Sequence, residues 1–248
     1  EADLREAVQK QQFLLHYQPQ VVGLGRITGV EALVRWQHPQ RGMVSPAEFI
    51  PLAEESSLIL ALGQWVLETA CLQLTAWADQ PALCHLSVSV NVSARQFNQP
   101  DFATSVLDVL QRTGARANRL KLELTESLLV NDMAGVVAKM SHLKAQGISF
   151  SLDDFGTGYS SLSYLKQLPL DQLKIDQSFV CDVLTDPNDA SIARMVIALG
   201  RSMGLEVIAE GVETQAQHDF LLAEGCHAFQ GYLFGRPMPC DAFEQRSG

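Results

Sequence analysis

The stretch FLLHYQPQVVGLGRITGVEALVRW, residues 13–36, holds two runs of apolar and β-branched residues that are typical of β-strands. Only the turn-rich segment Val22–Gly29 separates these runs, and it is too short for a helical crossover. The runs Phe13–Gln18 and Val30–Trp36 are therefore predicted to pair as an antiparallel hairpin. Because Val22–Gly29 leads into no helix, it does not fit the glycine-rich phosphate loop that opens many doubly wound sheets.

Beyond this hairpin, short strand-like runs alternate with helical stretches, a pattern typical of βα units around a parallel sheet. The further predicted strands are Leu86–Val92, Leu120–Leu124, Ile148–Leu152, Gln172–Ile175, Glu206–Ala209 and Ala228–Tyr232. The predicted helices are Leu58–Ala78, Asp101–Thr113, Met133–Gln146, Ser160–Lys166, Ala190–Met203 and Gln215–Glu224. The number of strands and the length of 248 residues predict an α/β fold, a modified TIM (β/α)8 barrel with an antiparallel first strand.

The composition excludes several classes of protein. Hydrophobic residues make up 47% and charged residues 19%, a globular balance rather than a disordered one. With 18 basic against 28 acidic residues, the net charge of −10 argues against a protein that binds long DNA or RNA through its phosphates. The apolar stretch Ser57–Leu74 contains Gly63, Gln64 and Glu68, so a mostly buried helix is predicted there rather than a membrane span.

The pattern of cysteines indicates whether the protein works in a reducing or an oxidising compartment. The 5 cysteines are scattered and form no C-x-x-C pair, which indicates neither a disulfide framework nor a zinc site. Together with the lack of a recognisable signal peptide, this predicts a reducing, cytoplasmic setting.

Polar residues recur where the predicted strands end, which is where barrel enzymes carry their chemistry. The set comprises Glu31, Asn91, Glu123, Asp153, Asp154, Lys174, Glu210 and Gln230. Any one of these could be a satisfied structural group, but a buried carboxylate is costly unless it is paired or bound to metal. The repetition over successive strands therefore favours a site. Oxygen ligands without histidine or cysteine select hard cations such as Mg²⁺ or Mn²⁺.

Two reaction classes fit this pattern. The adjacent pair Asp153–Asp154 is suited to a two-metal site that hydrolyses a phosphate ester, because one carboxylate can bridge two ions while its neighbour holds the second. A barrel with acidic Mg²⁺ ligands and a lysine base also suits proton abstraction next to a carboxylate, as in enolase-type enzymes. The doubled aspartate favours the phosphate chemistry only modestly.

The motifs also resemble those of a known family, the EAL-domain cyclic di-GMP phosphodiesterases. The similarity begins with Tyr17-Gln18-Pro19 and Glu31-Ala32-Leu33-Val34-Arg35-Trp36 and continues through Asn91-Val92-Ser93, Glu123-Leu124-Thr125-Glu126-Ser127 and the run Asp153–Leu162. It ends with Lys174-Ile175-Asp176, Glu210-Gly211-Val212-Glu213-Thr214 and Gln230-Gly231-Tyr232. The resemblance implies a barrel with an antiparallel first strand and metal-dependent hydrolysis of cyclic di-GMP to linear 5′-pGpG.

The same resemblance implies roles for individual residues. Glu31, Asn91, Glu123 and Asp153 would hold one Mg²⁺ or Mn²⁺, and Asp153 would bridge to a second ion held by Asp154 and Glu210. Lys174 would contact and help to activate the attacking water, so that Lys174, Glu31 and Asp153 form the catalytic set. Gln18, Arg35, Glu213 and Gln230 would hold substrate, with Arg35 on a phosphate. Ca²⁺ is expected not to support turnover.

Further expectations concern regulation and context. The resemblance implies a switch element formed by Glu126 and the loop that contains Phe155, Gly156, Thr157, Gly158, Tyr159 and Ser160, coupled to a homodimer or to an upstream sensor. Since the chain begins at Glu1 rather than at methionine, residues 1–248 are interpreted as one domain of a longer signalling protein. That protein could add a GGDEF-type domain or a tether to the inner membrane. A receptor that binds cyclic di-GMP without cleaving it remains the alternative.

Overall fold

The computed structural model describes residues 2–126, 128, 132–156 and 165–247. Its strands are β1 (Phe13–Val22), β2 (Arg26–His38), β3 (Gly42–Val44), β4 (Ser87–Val92), β5 (Leu120–Thr125), β6 (Ser149–Phe155), β7 (Gln172–Ile175), β8 (Glu206–Ala209), β9 (Ala228–Gln230) and β10 (Met238–Pro239). Its helices are α1 (Ala2–Gln9), α2 (Pro46–Glu55), α3 (Leu58–Trp77), α4 (Ala94–Phe97), α5 (Phe102–Thr113), α6 (Met133–Lys144), α7 (Gln177–Cys181), α8 (Pro187–Met203), α9 (Gln215–Ala223) and α10 (Cys240–Ser247).

Eight of the strands close into a barrel in the order β1–β2–β4–β5–β6–β7–β8–β9, with β9 returning to β1. The pairs from β2 through β9 are parallel, whereas β1 is antiparallel to both of its neighbours. The predicted barrel with an antiparallel first strand is therefore confirmed. The strands β3 and β10, which the sequence did not predict, extend the sheet beyond the closed barrel on β2 and β1.

The hairpin is longer than predicted. Strands β1 and β2 run on through most of the segment Val22–Gly29, and only the turn at Gly23–Gly25 separates them. The two strands stay in register from Phe13↔Trp36 to Val22↔Arg26 apart from one irregularity after Gln20. Glycines in the turn adopt the positive φ angles that reverse the chain at no steric cost, +59° at Gly23 and +118° at Gly25.

The main core lies between the barrel and the surrounding helices. Val30, Val88, Leu122, Phe150 and Leu173 are fully buried on alternate positions of their strands, and each contributes about 1.5–3 kcal/mol by removal from water. The alternate residues face the inside of the barrel, as strand geometry requires. Many of those inward residues are polar, so the barrel carries its polar side chains on the axis.

Helix α3 meets the length and composition of a membrane span, with a mean hydropathy of 1.4 over 18 residues, of which 44% are buried. Its buried residues, among them Leu62, Leu67 and Leu74, belong to the same core cluster as the barrel strands. A core helix packed on one face has these properties as well. The predicted helix at this place is confirmed. All five cysteines are free thiols.

Candidate active site

The strand register brings the predicted polar residues to one mouth of the barrel, at the C-terminal ends of the parallel strands. Asn91 of β4 pairs with Glu123 of β5, and Gln18 of β1 lies opposite Glu31 of β2. Because inward-facing residues alternate along every strand, partners in register at the same end of the barrel point to the same place. Glu31 and Glu123 are 5% and 1% exposed, so both carboxylates are within the protein rather than at its surface.

The ammonium group of Lys174, which is 1% exposed, lies at the centre of these carboxylates. Its Nζ atom is 2.6 Å from a carboxylate oxygen of Glu210, 3.2 Å from one of Asp153 and 3.8 Å from one of Glu31, and it also forms a short contact with Glu123. One positive charge thus stands among four negative ones. This arrangement joins β2, β5, β6 and β7 with the segment that follows β8.

The electrostatics of this cluster are dominated by burial and by its crowded charges. Burial alone would lower the pKa of the Lys174 ammonium, yet the surrounding carboxylates, above all Glu123 and Glu210, raise it well above its ordinary value. Burial raises the pKa of the Glu210 carboxyl well above its usual range, although Lys174 opposes this shift. Burial likewise raises the pKa of Asp153. The site is therefore a buried cluster in which one lysine and several carboxyl groups shift one another's pKa values.

Three side-chain amides form a hydrogen-bond network around the carboxylate of Glu31. Asn91 Nδ2 donates to one carboxylate oxygen of Glu31 at 2.5 Å, and Gln230 Nε2 donates to the other, also at 2.5 Å. The same Gln230 nitrogen donates to Gln18 Oε1 at 3.0 Å. Both oxygens of Glu31 are therefore held by N–H donors, which sets the plane of the carboxylate.

The two adjacent aspartates line the same cavity because β6 is irregular at this point. In a regular strand, neighbouring side chains point to opposite faces. Asp154, however, has a left-handed backbone with φ of 55°, and the pairing of β6 with β7 shifts register between Leu152 and Phe155. Such bulges re-aim side chains next to active sites. Burial, followed by the charges of Asp153 and Asp176, raises the pKa of Asp154 to about 6.

The donor set fits a hard divalent cation, since it consists of carboxylate and amide oxygens only. Over the residues that the structure describes, no group of three or more acidic, histidine or cysteine side chains is already spaced as a metal cage. The carboxylates lie close enough together for the Lys174 ammonium to contact four of them.

The predicted substrate residues line two adjoining cavities of about 370 and 540 Å³. The smaller one is bordered by Gln18, Glu31, Lys174, Glu210, Glu213, Gln230 and Tyr232. The larger one is bordered mostly by apolar residues, including Pro46, Ile50, Ile59, Leu62 and Val66. Both cavities share Leu33, Arg35, Asn91, Asp153 and Asp154. The acidic centre therefore borders the polar cavity, and its Asp153 and Asp154 also border the apolar one.

Part of the predicted switch element is visible. The backbone N–H of Gly156 donates to Glu126 Oε1 at 3.1 Å, so the end of β6 is tied to the segment after β5. Phe155 is buried at 4% exposure and Gly156 is exposed. Thr157, Gly158, Tyr159 and Ser160, together with most of the predicted helix Ser160–Lys166, lie outside the described residues.

Gln20, Asp176 and Tyr232 are among the residues at the site that were not predicted as site residues from the sequence. Asp176 and Tyr232 line the polar cavity, and Gln20 lies beneath it, hydrogen-bonded to Gln230. The alternation of a strand was the available signal for two of them, because Gln20 and Asp176 stand two positions from Gln18 and Lys174 respectively. Tyr232 follows the last strand and carried no periodic signal.

Comparison with known proteins identifies the chain's relatives. The family model described as the EAL domain matches residues 1–237. The chain is 46% identical over 240 residues to a bifunctional diguanylate cyclase/cyclic di-GMP phosphodiesterase, MucR, of Pseudomonas aeruginosa, with 96% of this chain and 35% of that protein covered. It is 41% identical to the cyclic di-GMP phosphodiesterase PdeR of Escherichia coli, with 99% and 37% covered. The chain thus spans about a third of the length of these curated relatives.

One solved structure has the same fold as this chain over nearly its entire length. The structure described as the PaMucR phosphodiesterase in complex with c-di-GMP superimposes with a TM-score of 0.94 at 45% identity, covering 98% of each chain. The fold described above is therefore shared with a phosphodiesterase whose structure was solved in complex with c-di-GMP.

Proposed function

Since the chain belongs to the EAL domain family, we propose that it hydrolyses cyclic di-GMP to linear 5′-pGpG. In this reaction a water oxygen forms a new bond to one phosphorus, and the bond from that phosphorus to the 3′ oxygen of the ribose breaks. The leaving oxygen takes up a proton, and the phosphate stays on the 5′ side. The observation that carries the proposal is the convergence of four carboxylates on one cation position at the mouth of the barrel.

Two divalent ions, Mg²⁺ or Mn²⁺, would supply a polarised phosphate and a nucleophilic water at neutral pH. Glu31, Asn91, Glu123 and Asp153 would hold one of them. Asp154 and Glu210 would hold the other, with Asp153 shared. The placement of Asp154 on the same side as Asp153 supports this division, because a regular strand would have turned it away.

Lys174 is proposed to contact the attacking water and to help activate it. Its Nζ atom lies within 3.8 Å of carboxylate oxygens of Glu31, Asp153 and Glu210. The amine is therefore at the centre of the residues proposed to hold the metal ions. The carboxylates around Lys174, among them Glu31 and Asp153, complete the catalytic set.

The two adjoining cavities are proposed to receive the two halves of the dinucleotide. A cyclic dinucleotide places one nucleoside on each side of the phosphate that is cleaved, and Asp153 and Asp154 border both cavities. Arg35 borders both and would bind phosphate with its planar guanidinium. Gln18, Glu213 and Gln230 would contact the half in the polar cavity.

Arg35→Lys is expected to raise the KM for cyclic di-GMP about tenfold while it changes kcat by less than about threefold. Lysine keeps the charge but loses the paired N–H geometry, which costs about 1.5 kcal/mol for a charge-assisted contact. Steady-state kinetics measures the split between KM and kcat. Arg41→Lys is the matched control, because Arg41 is exposed, pairs with Glu48 and borders neither cavity. A change in kcat alone would remove Arg35 from substrate binding.

Incubation of the chain with cyclic di-GMP is expected to yield 5′-pGpG in Mg²⁺ or Mn²⁺ and none in Ca²⁺, as measured by chromatography of the nucleotides. Ca²⁺ prefers a larger and looser coordination shell, so it orients the reacting groups poorly. Binding without turnover in either supporting ion would overturn the enzyme proposal in favour of a receptor. Absence of both binding and turnover would exclude the dinucleotide and favour chemistry on a carbon acid.

The regulatory setting belongs to the same proposal. Glu126 and the loop from Phe155 to Ser160 are proposed to couple the metal site to a homodimer or to a sensor, and the Glu126–Gly156 hydrogen bond supports a link at that place. We propose that residues 1–248 form one domain of a longer signalling protein, which could contain a GGDEF-type or sensor domain and an inner-membrane tether. The free thiols fit a cytoplasmic location of the domain.

A further inference from the structure

Gln20 is a buried glutamine of β1 that lies one step below the acidic cluster, inside the barrel. Its side chain is 4% exposed, and in the strand register it lies opposite both Gly29 of β2 and Gln230 of β9. A Cβ atom at Gly29 would lie 2.5 Å from Ser87 Oγ, so this glycine makes room chiefly for Ser87, and 3.4 Å from Gln20 Oε1, which is an ordinary contact. A long polar side chain has thus been fitted into the axis of the barrel.

The side chain of Gln20 is hydrogen-bonded to residues of the acidic site. Its Nε2 donates to Gln230 Oε1 at 3.0 Å and has a longer contact of 3.5 Å with Glu123 Oε1. Its Oε1 accepts from Ser89 Oγ at 3.4 Å. A buried polar group is costly unless its partners satisfy it, so this set of bonds holds the amide of Gln20 in a single orientation.

The orientation of the Gln20 amide determines the orientation of the Gln230 amide. An amide has one oxygen and one nitrogen end, and the Gln230 oxygen is occupied by the N–H donor of Gln20. The Gln230 nitrogen therefore points the other way, where it donates to Glu31 Oε2 and to Gln18 Oε1. If Gln230 were reversed, its oxygen would face the carboxylate of Glu31, and two acceptors would oppose each other.

We infer that Gln20 is a positioning residue of the active site, which anchors the Gln230 amide from below and through it the Glu31 carboxylate. This inference rests on the proposed function only in taking Glu31 and Glu123 as metal ligands. Hydrogen bonds to ligating carboxylates orient them for the ion, and their loss typically costs about 10-fold to 100-fold in metal affinity.

Gln20→Met should weaken the binding of Mn²⁺ to the metal-free protein about 10-fold to 100-fold, since methionine fills the space without an N–H donor. The free Mn²⁺ signal in electron paramagnetic resonance reports the binding without any need for turnover. Gln172→Met is the matched control: Gln172 is also a buried glutamine inside the barrel, but its side chain bonds to Lys121, Ser151 and Glu206. The control should lose thermal stability and keep its Mn²⁺ affinity.

Gln20→Asn gives a second measurement should the methionine variant fail to fold, because its amide is one methylene too short to reach Gln230. It should weaken Mn²⁺ binding about 10-fold. Equal Mn²⁺ affinity in the wild type and in either folded Gln20 variant would overturn the inference while leaving the proposed function intact. A wild-type chain that binds no Mn²⁺ would instead contradict the metal site of the proposed function.

Discussion

Replacement of Glu31 by alanine is expected to lower the turnover of cyclic di-GMP by about a thousandfold or more while the chain stays folded. The loss of a metal ligand removes several kcal/mol of transition-state stabilisation, and each factor of ten corresponds to about 1.4 kcal/mol. The folded state should tolerate the change, because Glu31 is one of four carboxylates around a single ammonium and its removal relieves repulsion. Nucleotide chromatography measures the turnover, and thermal unfolding followed by circular dichroism measures the fold.

Glu206→Ala is the control for this prediction. Glu206 begins β8 at the opposite mouth of the barrel and is exposed, so its removal takes away a strand glutamate without touching the site. It should keep turnover near the wild-type level. Activity near the wild-type level in Glu31→Ala would show that the metal assignment is wrong, whereas an unfolded Glu31→Ala would show that the carboxylate is structural.

Replacement of Lys174 by methionine is expected to have two large effects that oppose each other. Without metal, the variant should lose about 3–5 kcal/mol of unfolding free energy, because removing one partner of a buried charge cluster leaves the others uncompensated. With the ammonium gone, the same carboxylates should bind Mn²⁺ more tightly than in the wild type. Turnover should nevertheless fall by about 10²-fold to 10³-fold, since the group proposed to contact and help activate the attacking water is lost.

Denaturant unfolding with and without Mn²⁺ separates the effects of this substitution. The increase in unfolding free energy on adding Mn²⁺ should be larger in the variant than in the wild type. Lys121→Met is the matched control, because Lys121 is a half-buried lysine of the neighbouring strand β5 whose Nζ donates to Gln172 and forms no ion pair with the four carboxylates, which all lie among the described residues. Unaltered metal-free stability together with unaltered Mn²⁺ affinity would contradict the central position assigned to Lys174.

Most of the fold could be predicted, because the sequence patterns that mark its strands involve residues close together in the chain. The alternation of apolar and polar residues located all eight barrel strands, and the short connection after Phe13–Gln18 predicted the reversed first strand that the structure confirms. The predicted end of the helix Ala190–Met203 also agrees with the structure, where Gly204 adopts a φ of 69° as the left-handed cap of α8. The short strands β3 and β10 were missed, since strands of three and two residues carry almost no periodic signal.

The sequence predicted which residues form the candidate site, but it did not predict how their side chains are oriented. Polar residues at successive strand ends must converge at one mouth of a closed parallel barrel, so their proximity followed from the sequence once the barrel was inferred. The bulge at Asp154 did not follow, because sequence alternation assigns Asp153 and Asp154 to opposite faces. Gln20 also escaped notice, since its role depends on Gln230, 210 positions away in the chain.

From the sequence we could infer which strands form, that the first is reversed and that oxygen-bearing side chains gather at one end of the barrel, because each of these depends on neighbouring residues or on strand order. The three-dimensional structure was needed to show that Lys174 lies among four carboxylates, that both aspartates line the cavity and that Gln20 is hydrogen-bonded to Gln230. These features depend on side-chain directions and distances between strands far apart in the chain. Local periodicity carries no information about such distances.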